Sequence, residues 1–590
     1  MDDLERSTPK DEGKDTYVLS RAHPSTEDRP ISAGEGPTRG PSRIPALLVL
    51  TLALLPPLSV VWGSSWFITQ DGPAHLYNAH VLRASLQADS VFRETFAVRW
   101  QPLPNWAGHL LAMTVNECLA PRSAERALAS TTLIALASAC FFLRRRVAGP
   151  AAGGTFSAAV VSTLLALNVT WLLGFTSFLL GASLFAVTLA VWWEARDRAG
   201  PALALKLGVL LILGYFCHPV SLGPTVFGLA VLILFTPGGR RSRALWTTLA
   251  TIPLFPLGLA YLSMTRQGGP LSPIWGQLND PLNWRDWLSQ LGWIDPISLA
   301  AKSARPFSLS ASGANIAFAP VLWFSLGLGL ITWGSRRSWS RESRAWLILA
   351  GVLLTAGTIG PDTLGLNHGH YLPQRIFLLG LVALLPVLDF GRKSTSARIG
   401  RLALLVAWGL QTLWVLDYAM MSTDRASSML QAQSKIGRNQ RVATVLADER
   451  NRFRSNPLLH LDCLLGIGTG NVIWSNYETR YYYFPVQLRH PETMPSSSDF
   501  EAVARLVGPD EGGERAQMWA ALLDRYPRQI DVVLAWGLDE RIERINSERY
   551  ERCNVAKDQR LRVWSGPKSS GSSSRELDLP PASKPVERPP

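Results

Sequence analysis

The residues most able to do chemistry lie in one short run, Trp66-Phe67-Ile68-Thr69-Gln70-Asp71-Gly72-Pro73-Ala74-His75-Leu76-Tyr77-Asn78. Asp71 followed by Gly and Pro reads as a helix start, with Asp as cap and Pro in the first turn. From that start Asp71, His75 and Asn78 fall three to four residues apart and share one helix face. An Asp with a His one turn on, held at a membrane surface by the Trp-Phe pair, can act as a general base or as a metal-ligand pair. The alternative is plainer: Asp71 only caps the helix, and His75 is only an interfacial polar residue. A second helix start follows at Pro104-Asn105-Trp106, with Asn105 as cap and the helix running through His109 to Met113.

Further candidates are spread along the chain. They are His218 in Cys217-His218-Pro219, and His368, His370 and Arg375 in the run Asn367–Arg375. Histidine and arginine are costly at membrane depth and mark ligand, ion or proton sites, while an Arg can also simply snorkel to lipid phosphate. Arg375 stands at the boundary of an apolar block, where its guanidinium can grip a phosphate or carboxylate with two parallel hydrogen bonds. The stretch Thr265–Ala314 carries Asp280, Asp286, Asp295 and Trp275, Trp284, Trp287 and Trp293. That mixture suits sugar stacking, but an amphipathic helix lying in the interface explains it better. Asn476-Tyr477-Glu478 and the aromatic run Tyr481–Phe484 suit a carbohydrate surface, and strand positions alternating between core and edge are the preferred explanation.

These residues must be positioned by elements that sit in a bilayer. The 590 residues are 47% hydrophobic, and the apolar ones fall into blocks such as Ile44–Trp62, Leu128–Leu143, Ala202–Phe216 and Leu402–Met420. Each block approaches the roughly 20 residues that a helix needs to cross hydrocarbon. Trp62, Trp66, Trp171, Trp323 and Trp333 stand near block ends, where amphipathic rings favour the interface. Spans are expected at 44–63, 124–143, 154–173, 175–194, 203–219, 220–237, 244–263, 315–334, 345–361, 374–390 and 400–420, about eleven in all. The net charge of +13 invites nucleic-acid binding, yet its basic residues cluster between blocks: Arg144–Arg146, Arg196 to Lys206, Arg240 to Arg243, Arg336 to Arg344 and Arg392 to Arg401. Threading the spans puts every cluster on one side, as the positive-inside rule requires of cytoplasmic loops. The implied N-terminus is cytoplasmic and the C-terminus extracytoplasmic, in a cell inner (plasma) membrane. Nucleic acid is excluded as a partner.

The expected fold is mainly α: a polytopic membrane helix bundle with a small C-terminal α/β extracytoplasmic domain. Residues 1–43 form a disordered cytoplasmic tail, 44–421 the transmembrane part, 422–565 the outer domain and 566–590 a second disordered tail. Within the outer domain Arg441–Ala447, Ile530–Trp536 and Leu561–Trp564 read as strands and Glu514–Arg525 as a helix. The five cysteines have no CxxC spacing, and Cys463 and Cys553 are either a disulfide or two unrelated thiols.

A long first outer loop with an Asp soon after the first span, surface helices within that loop, about eleven spans and an outer C-terminal domain together resemble the GT-C superfamily of integral membrane glycosyltransferases. The run Asp71-Gly72-Pro73-Ala74-His75-Leu76 looks like the Asp-containing segment of bacterial members of that group. The architectural similarity spans most of 44–565, and the motif match is confined to this run. The resemblance implies a polyprenyl-phosphate sugar as donor, transfer outside the cytoplasm to a saccharide, lipid or protein acceptor, and inversion at the sugar. Asp71 would match the catalytic acidic residue. His75, His218, His368, His370 and Arg375 would then bind substrate, the last three near the lipid phosphate. The sequence departs from the pattern in giving Asp71 no acidic neighbour, and the turn Leu172–Ser177 holds none either. The cofactor therefore stays unknown: a divalent cation is one option, with His75 or His218 as ligand. A transporter or flippase of lipid-linked sugars, or a non-catalytic membrane scaffold, are the rival functions.

Overall fold

Apolar blocks become helices where nothing interrupts them and break where a side chain offers the backbone another partner. The computed structural model describes residues 45–87, 90–148, 154–269, 325–332, 341–361, 363–365, 367–390, 394–447, 453, 455–504, 512–537, 539–553 and 560–567. The expected tail 1–43, all but the first two residues of the expected tail 566–590, the Asp- and Trp-bearing part of the 265–314 stretch, and most of the eighth span lie outside those residues; Gly566 and Pro567 end a strand instead.

The first helices are α1 (Ala46–Gly63), α2 (Gly72–Ala84), α3 (Phe92–Thr95), α4 (Trp106–Cys118) and α5 (Pro121–Ala148). Next come α6 (Thr155–Ala166), α7 (Val169–Leu172), α8 (Thr176–Ala195), α9 (Pro201–Cys217) and α10 (Pro219–Phe235). They are followed by α11 (Arg240–Thr251), α12 (Leu254–Thr265), α13 (Arg341–Ile359), α14 (Leu372–Leu384) and α15 (Thr395–Met429). Among the described residues, the helices α1, α5, α8 and α15 are long and apolar enough to cross a membrane. Exposed Leu47, Leu205, Phe255 and Leu402 sit on faces that no other part of the described chain covers. That is what lipid contact leaves in a structure without lipid.

Two expected spans are broken. The 154–173 block splits because Asn168 competes for the backbone: its Oδ1 accepts from Thr170 N–H at 2.9 Å and Trp171 N–H at 3.2 Å, and its Nδ2 donates to Leu165 O at 2.8 Å. The 244–263 block bends by 50° between α11 and α12, at the Ile252-Pro253 step.

The C-terminal segment folds around a five-stranded sheet of order β3-β2-β5-β7-β6. Its strands are β2 (Arg441–Leu446), β3 (Val472–Ile473), β5 (Val532–Trp536), β6 (Tyr550–Cys553) and β7 (Leu561–Pro567). The first three in spatial order are parallel and the last two join antiparallel. Every residue of β5 is buried, consistent with its unbroken apolar run VVLAW. The helices α16 (Ser497–Ala504), α17 (Gly512–Arg525) and α18 (Glu540–Arg549) accompany the sheet. The cysteines are free thiols.

From Ala46 onward the chain forms one compact unit. The first loop and the C-terminal segment share a core that includes Tyr77, Phe92 and Phe96 with Leu461, Leu465 and Ile473. The strand β1 (Phe96–Val98) pairs antiparallel with β4 (Val486–Leu488) across the same contact. Deeper in, Asn78 and Asn476, both fully buried, exchange amide hydrogen bonds of 2.8 and 3.0 Å. Asn476→Ala strands the Asn78 amide without this partner. The expected loss is about 1–3 kcal/mol, read as a fall in thermal midpoint in detergent.

Candidate functional site

Residues 66–71 link two helices without being helical, so their backbone groups need partners from elsewhere. The rest of the fold supplies them. Trp66 N–H donates to Thr423 Oγ1 at 3.1 Å, Ile68 N–H to Ser422 Oγ at 3.3 Å, and Tyr418 O–H to Ile68 O at 2.7 Å, all from α15. Thr69 N–H donates to Glu125 Oε1 on α5 at 2.8 Å. Gln70 and Asp71 N–H reach the carbonyls of Leu172 and Leu173 at 3.0 and 3.1 Å. The turn that follows closes on Gly174, whose φ of +77° and tight contact with Thr69 Oγ1 and Gly72 N leave no room for a side chain. The segment carrying Asp71 is therefore clamped by α5, α15 and the α7–α8 turn.

Asp71 stands at the start of α2, but its side chain does not cap the helix. The capping expectation fails because the residue is in the αR region, at φ −95° and ψ −12°, and its carboxylate has other donors. Tyr477 O–H donates to Oδ2 at 3.1 Å, Gln70 Nε2 to Oδ1 at 3.4 Å, and His460 Nε2 lies 3.8 Å from Oδ1. Asn105 likewise precedes α4 without a side-chain cap: at φ 71° it is left-handed. It offers its carbonyl to His109 Nδ1 at 3.2 Å and to Ser177 O–H at 3.1 Å.

The shared face of α2 docks against three consecutive residues of the C-terminal segment. Asp71 meets Tyr477, His75 meets Glu478, and Asn78 meets Asn476. Residues Tyr477–Arg480 form a short 3-10 turn. The strand expected there is absent because 476–478 are held by α2 rather than by a neighbouring strand. The Glu478 carboxylate takes both His75 Nδ1 and His109 Nε2, the latter at 2.8 Å. Each imidazole turns its far nitrogen to a carbonyl: His75 Nε2 to Gly174 O at 3.1 Å, and His109 Nδ1 to Asn105 O. The aromatic run closes this cluster, with Phe484 5.6 Å from the His109 ring and 5.9 Å from the Tyr477 ring.

Burial sets the protonation states. It pushes Asp71 up to about 6, against the His75 charge and the hydrogen bonds from Tyr477 and Gln70. Burial would lower His75, but the Glu478 carboxylate outweighs it and raises the imidazole to about 8. Glu478 goes the other way: burial alone would raise it, and His109 and His75 together hold it at about 2. His460 is driven down to about 3 by burial and by the His75 charge, so it is neutral beside Asp71.

The His75, His109 and Glu478 ligand atoms lie within 4.8 Å of one another. With both far nitrogens already donating to carbonyls, the donor set fits a divalent cation. Such an ion would be held by His75 Nδ1, His109 Nε2 and Glu478 and would add positive charge near Asp71.

A second group forms around Arg375, in the first turn of α14. Its guanidinium lies 4.3 Å from the Phe175 ring centroid and 5.5 Å from that of Phe178, and Nη1 is 2.9 Å from His218 Nε2. The other His218 nitrogen accepts from Val220 N–H at 3.1 Å. A neutral imidazole has one acceptor nitrogen, so His218 cannot satisfy both donors. Arg375 Nε is buried and has no hydrogen-bond partner, and no carboxylate pairs with this Arg among the described residues. Asp71, Tyr371, Tyr477 and Tyr483 are within electrostatic reach of it. His368 bonds Tyr482 O–H at 3.0 Å and Gly269 O at 3.2 Å, and His370 lies in the same turn. An apolar groove of about 760 Å³ between α4, α5, α8 and α9, lined by Trp106, Leu110, Phe142, Leu180 and Leu213, reaches Cys217 beside His218.

No family model matches the chain, and no curated protein matches it. Among solved structures it is similar to ArnT from Cupriavidus metallidurans bound to undecaprenyl phosphate, at TM-score 0.48 and 12% identity over 89% of this chain and 98% of that one. It is also similar to the arabinofuranosyltransferase AftD from mycobacteria, at TM-score 0.44 and 15% identity. That likeness covers 88% of this chain and 41% of the other. Neither carries a residue assignment into this chain.

The structure thus brings His75 into the Asp71 cluster and joins His218 to Arg375. It keeps His368 apart, against Tyr482. The sequence pattern does not mark Glu125 or His460 as site residues, and it assigns Tyr477 and Glu478 to a strand in preference to a carbohydrate surface. One signal for Glu125 was available, because an ionisable residue inside an apolar span is itself a functional flag. Glu478 and His460 carry none, since their partners are some 400 positions away.

Stability should carry the mark of Asp71. Folded Asp71 binds its proton up to about pH 6, the unfolded chain only to 3.8. The native state therefore loses stability as pH rises through that window, and the full cost is present above it. Two pH units at about 1.4 kcal/mol each give about 3 kcal/mol. Asp71→Asn should thus be more stable than wild type at pH 7.5 and equal to it near pH 4, measured by thermal unfolding across pH; a cap would give the opposite sign at neutral pH.

Proposed function

We propose that the chain is a membrane glycosyltransferase of the GT-C type, moving a sugar from a polyprenyl-phosphate donor to an acceptor on the extracytoplasmic side. The observation that carries this reading is a pair of groups within electrostatic reach of each other: the buried Asp71 carboxyl, which does not cap its helix, and the Arg375 guanidinium, which pairs with no carboxylate among the described residues. A carboxyl near 6 is about half ionised at that pH and suits a general base. A guanidinium whose buried Nε has no hydrogen-bond partner stays under-compensated until an anion arrives.

In this mechanism the donor's isoprenoid tail lies in the apolar groove ending at Cys217, and its phosphate meets Arg375. His218 and the faces of Phe175 and Phe178 hold that guanidinium in place. Asp71 takes the proton of the acceptor hydroxyl as its oxygen bonds to the anomeric carbon. The bond from that carbon to the phosphate oxygen breaks, and the electron pair leaves on the lipid phosphate, where Arg375 stabilises it. Positive charge beside Glu478, on the His75 imidazole or on a cation that His75, His109 and Glu478 would hold, favours the Asp71 carboxylate. About eleven spans, a cytoplasmic N-terminus and an outer α/β domain over residues 422–565 complete the proposed topology, in an inner (plasma) membrane.

The test is donor cleavage by matched amounts of wild type, Asp71→Asn and Arg375→Lys in membranes given polyprenyl-phosphate glucose, mannose, galactose or arabinose. Asp71→Asn should abolish product while remaining inserted. Arg375→Lys keeps the charge but loses the planar fork, and should lower turnover by about 100-fold. Undiminished product from Asp71→Asn removes Asp71 from the mechanism. Donor crossing the membrane without bond cleavage would favour a carrier.

A further inference from the structure

Glu125 is a fully buried carboxyl on α5, one turn after Pro121, and the mechanism above makes no use of it. Its Oε1 accepts twice from one residue, from Thr69 N–H at 2.8 Å and from Thr69 Oγ1–H at 2.6 Å. Its Oε2 is buried without a hydrogen-bond partner among the described residues. Both oxygens lie directly over Gly72, the first residue of α2: a Cβ there would sit 2.1 Å from Oε1, 2.3 Å from Oε2 and 2.4 Å from Thr69 Oγ1. The glycine is what lets the carboxyl come so close.

This is where a helix favours a carboxyl oxygen. The first turn of α2 exposes backbone N–H groups, Pro73 supplies none, and the residue placed to cap them has its side chain elsewhere. We propose that Glu125 is a positioning residue that anchors the start of α2 in place of the Asp71 side chain, which leaves the Asp71 carboxyl turned toward the site. The consequence for catalysis rests on the reading of Asp71 as base; the anchoring itself does not. Glu125 touches Thr69 and lies against Gly72, on either side of Gln70-Asp71, so it acts on the chemistry only through where it holds Asp71. Thr69 is its partner in this, because the hydroxyl and the N–H of that one residue fix the carboxyl's orientation.

The experiment uses the full chain in nanodiscs and two readouts. Hydrogen exchange reports on the anchor without any substrate. Glu125→Gln keeps one oxygen for Thr69 but can turn an amide NH₂ toward the helix start, and Thr69→Val removes the hydroxyl donor while Thr69→Ser keeps it. Exchange should rise by about 10-fold in peptides covering residues 69–77 for Glu125→Gln and Thr69→Val, stay unchanged in the five-stranded sheet, and return to wild type for Thr69→Ser. The serine comparison decides the matter if Glu125→Gln fails to fold. Exchange unchanged in Glu125→Gln and Thr69→Val, or raised equally by serine and valine, would overturn the anchor.

Cleavage of polyprenyl-phosphate glucose, mannose, galactose or arabinose reports on the consequence. Glu125→Gln should lower kcat by about 10- to 100-fold with donor KM within about twofold, because the Arg375 group is untouched. In an Asp71→Asn background it should have no further effect. Wild-type kcat in Glu125→Gln, or a loss that adds to that of Asp71→Asn, would overturn the positioning role. If wild type cleaves none of the donors, the glycosyltransferase reading falls, and hydrogen exchange still decides whether Glu125 is the anchor.

Discussion

The candidate site depends on one constraint: a buried carboxylate must be matched by buried donors. Glu478, His75 and His109 are all out of water, and none of them could be there alone. Glu478 supplies two oxygens, each takes one imidazole, and the two imidazoles reach the carbonyls of Gly174 and Asn105. That arrangement fixes α2, α4 and the turn at 477–480 with respect to one another. Asp71 inherits its position from the same contact, because it lies one helical turn before His75 and opposite Tyr477.

The same constraint explains why Asp71 and Arg375 stand apart from the other charges. Arg243 has Asp197, Arg441 has Asp531 and Arg549 has Asp524, and each of these pairs is at least partly exposed. Arg375 instead has aromatic faces and a histidine that cannot satisfy it. Asp71 has a phenol, an amide and a neutral imidazole. Folded proteins leave such groups under-compensated where a ligand or a proton completes them. The cost is borne by the surrounding framework, in which α5, α15 and the α7–α8 turn satisfy nearly every backbone N–H of residues 66–71.

Helix breaks serve this framework too. Asn168 ends α6 and starts α7, and the carbonyls of Leu172 and Leu173 at the end of that short helix are those that receive Gln70 and Asp71. The end of that short helix presents backbone acceptors to the non-helical segment carrying the acid.

Much of this was legible before folding. Period and length gave the long helices, and the unbroken apolar run at 532–536 gave a buried strand. Spacing alone put Asp71, His75 and Asn78 on one face, because residues three to four apart on a helix always share one. What that face meets is another matter. Glu478, Tyr477 and His460 lie some 400 residues downstream, and no local pattern encodes a contact at that separation. Asp71 and Asn105 read as caps from their neighbours, whereas the tertiary contacts set their side chains and backbone otherwise. Sequence thus fixed which side chains could act together along one helix. Only the closing of the C-terminal segment over that helix decided which are charged and which are free, because protonation follows burial and partner charge, and both are properties of the assembled fold.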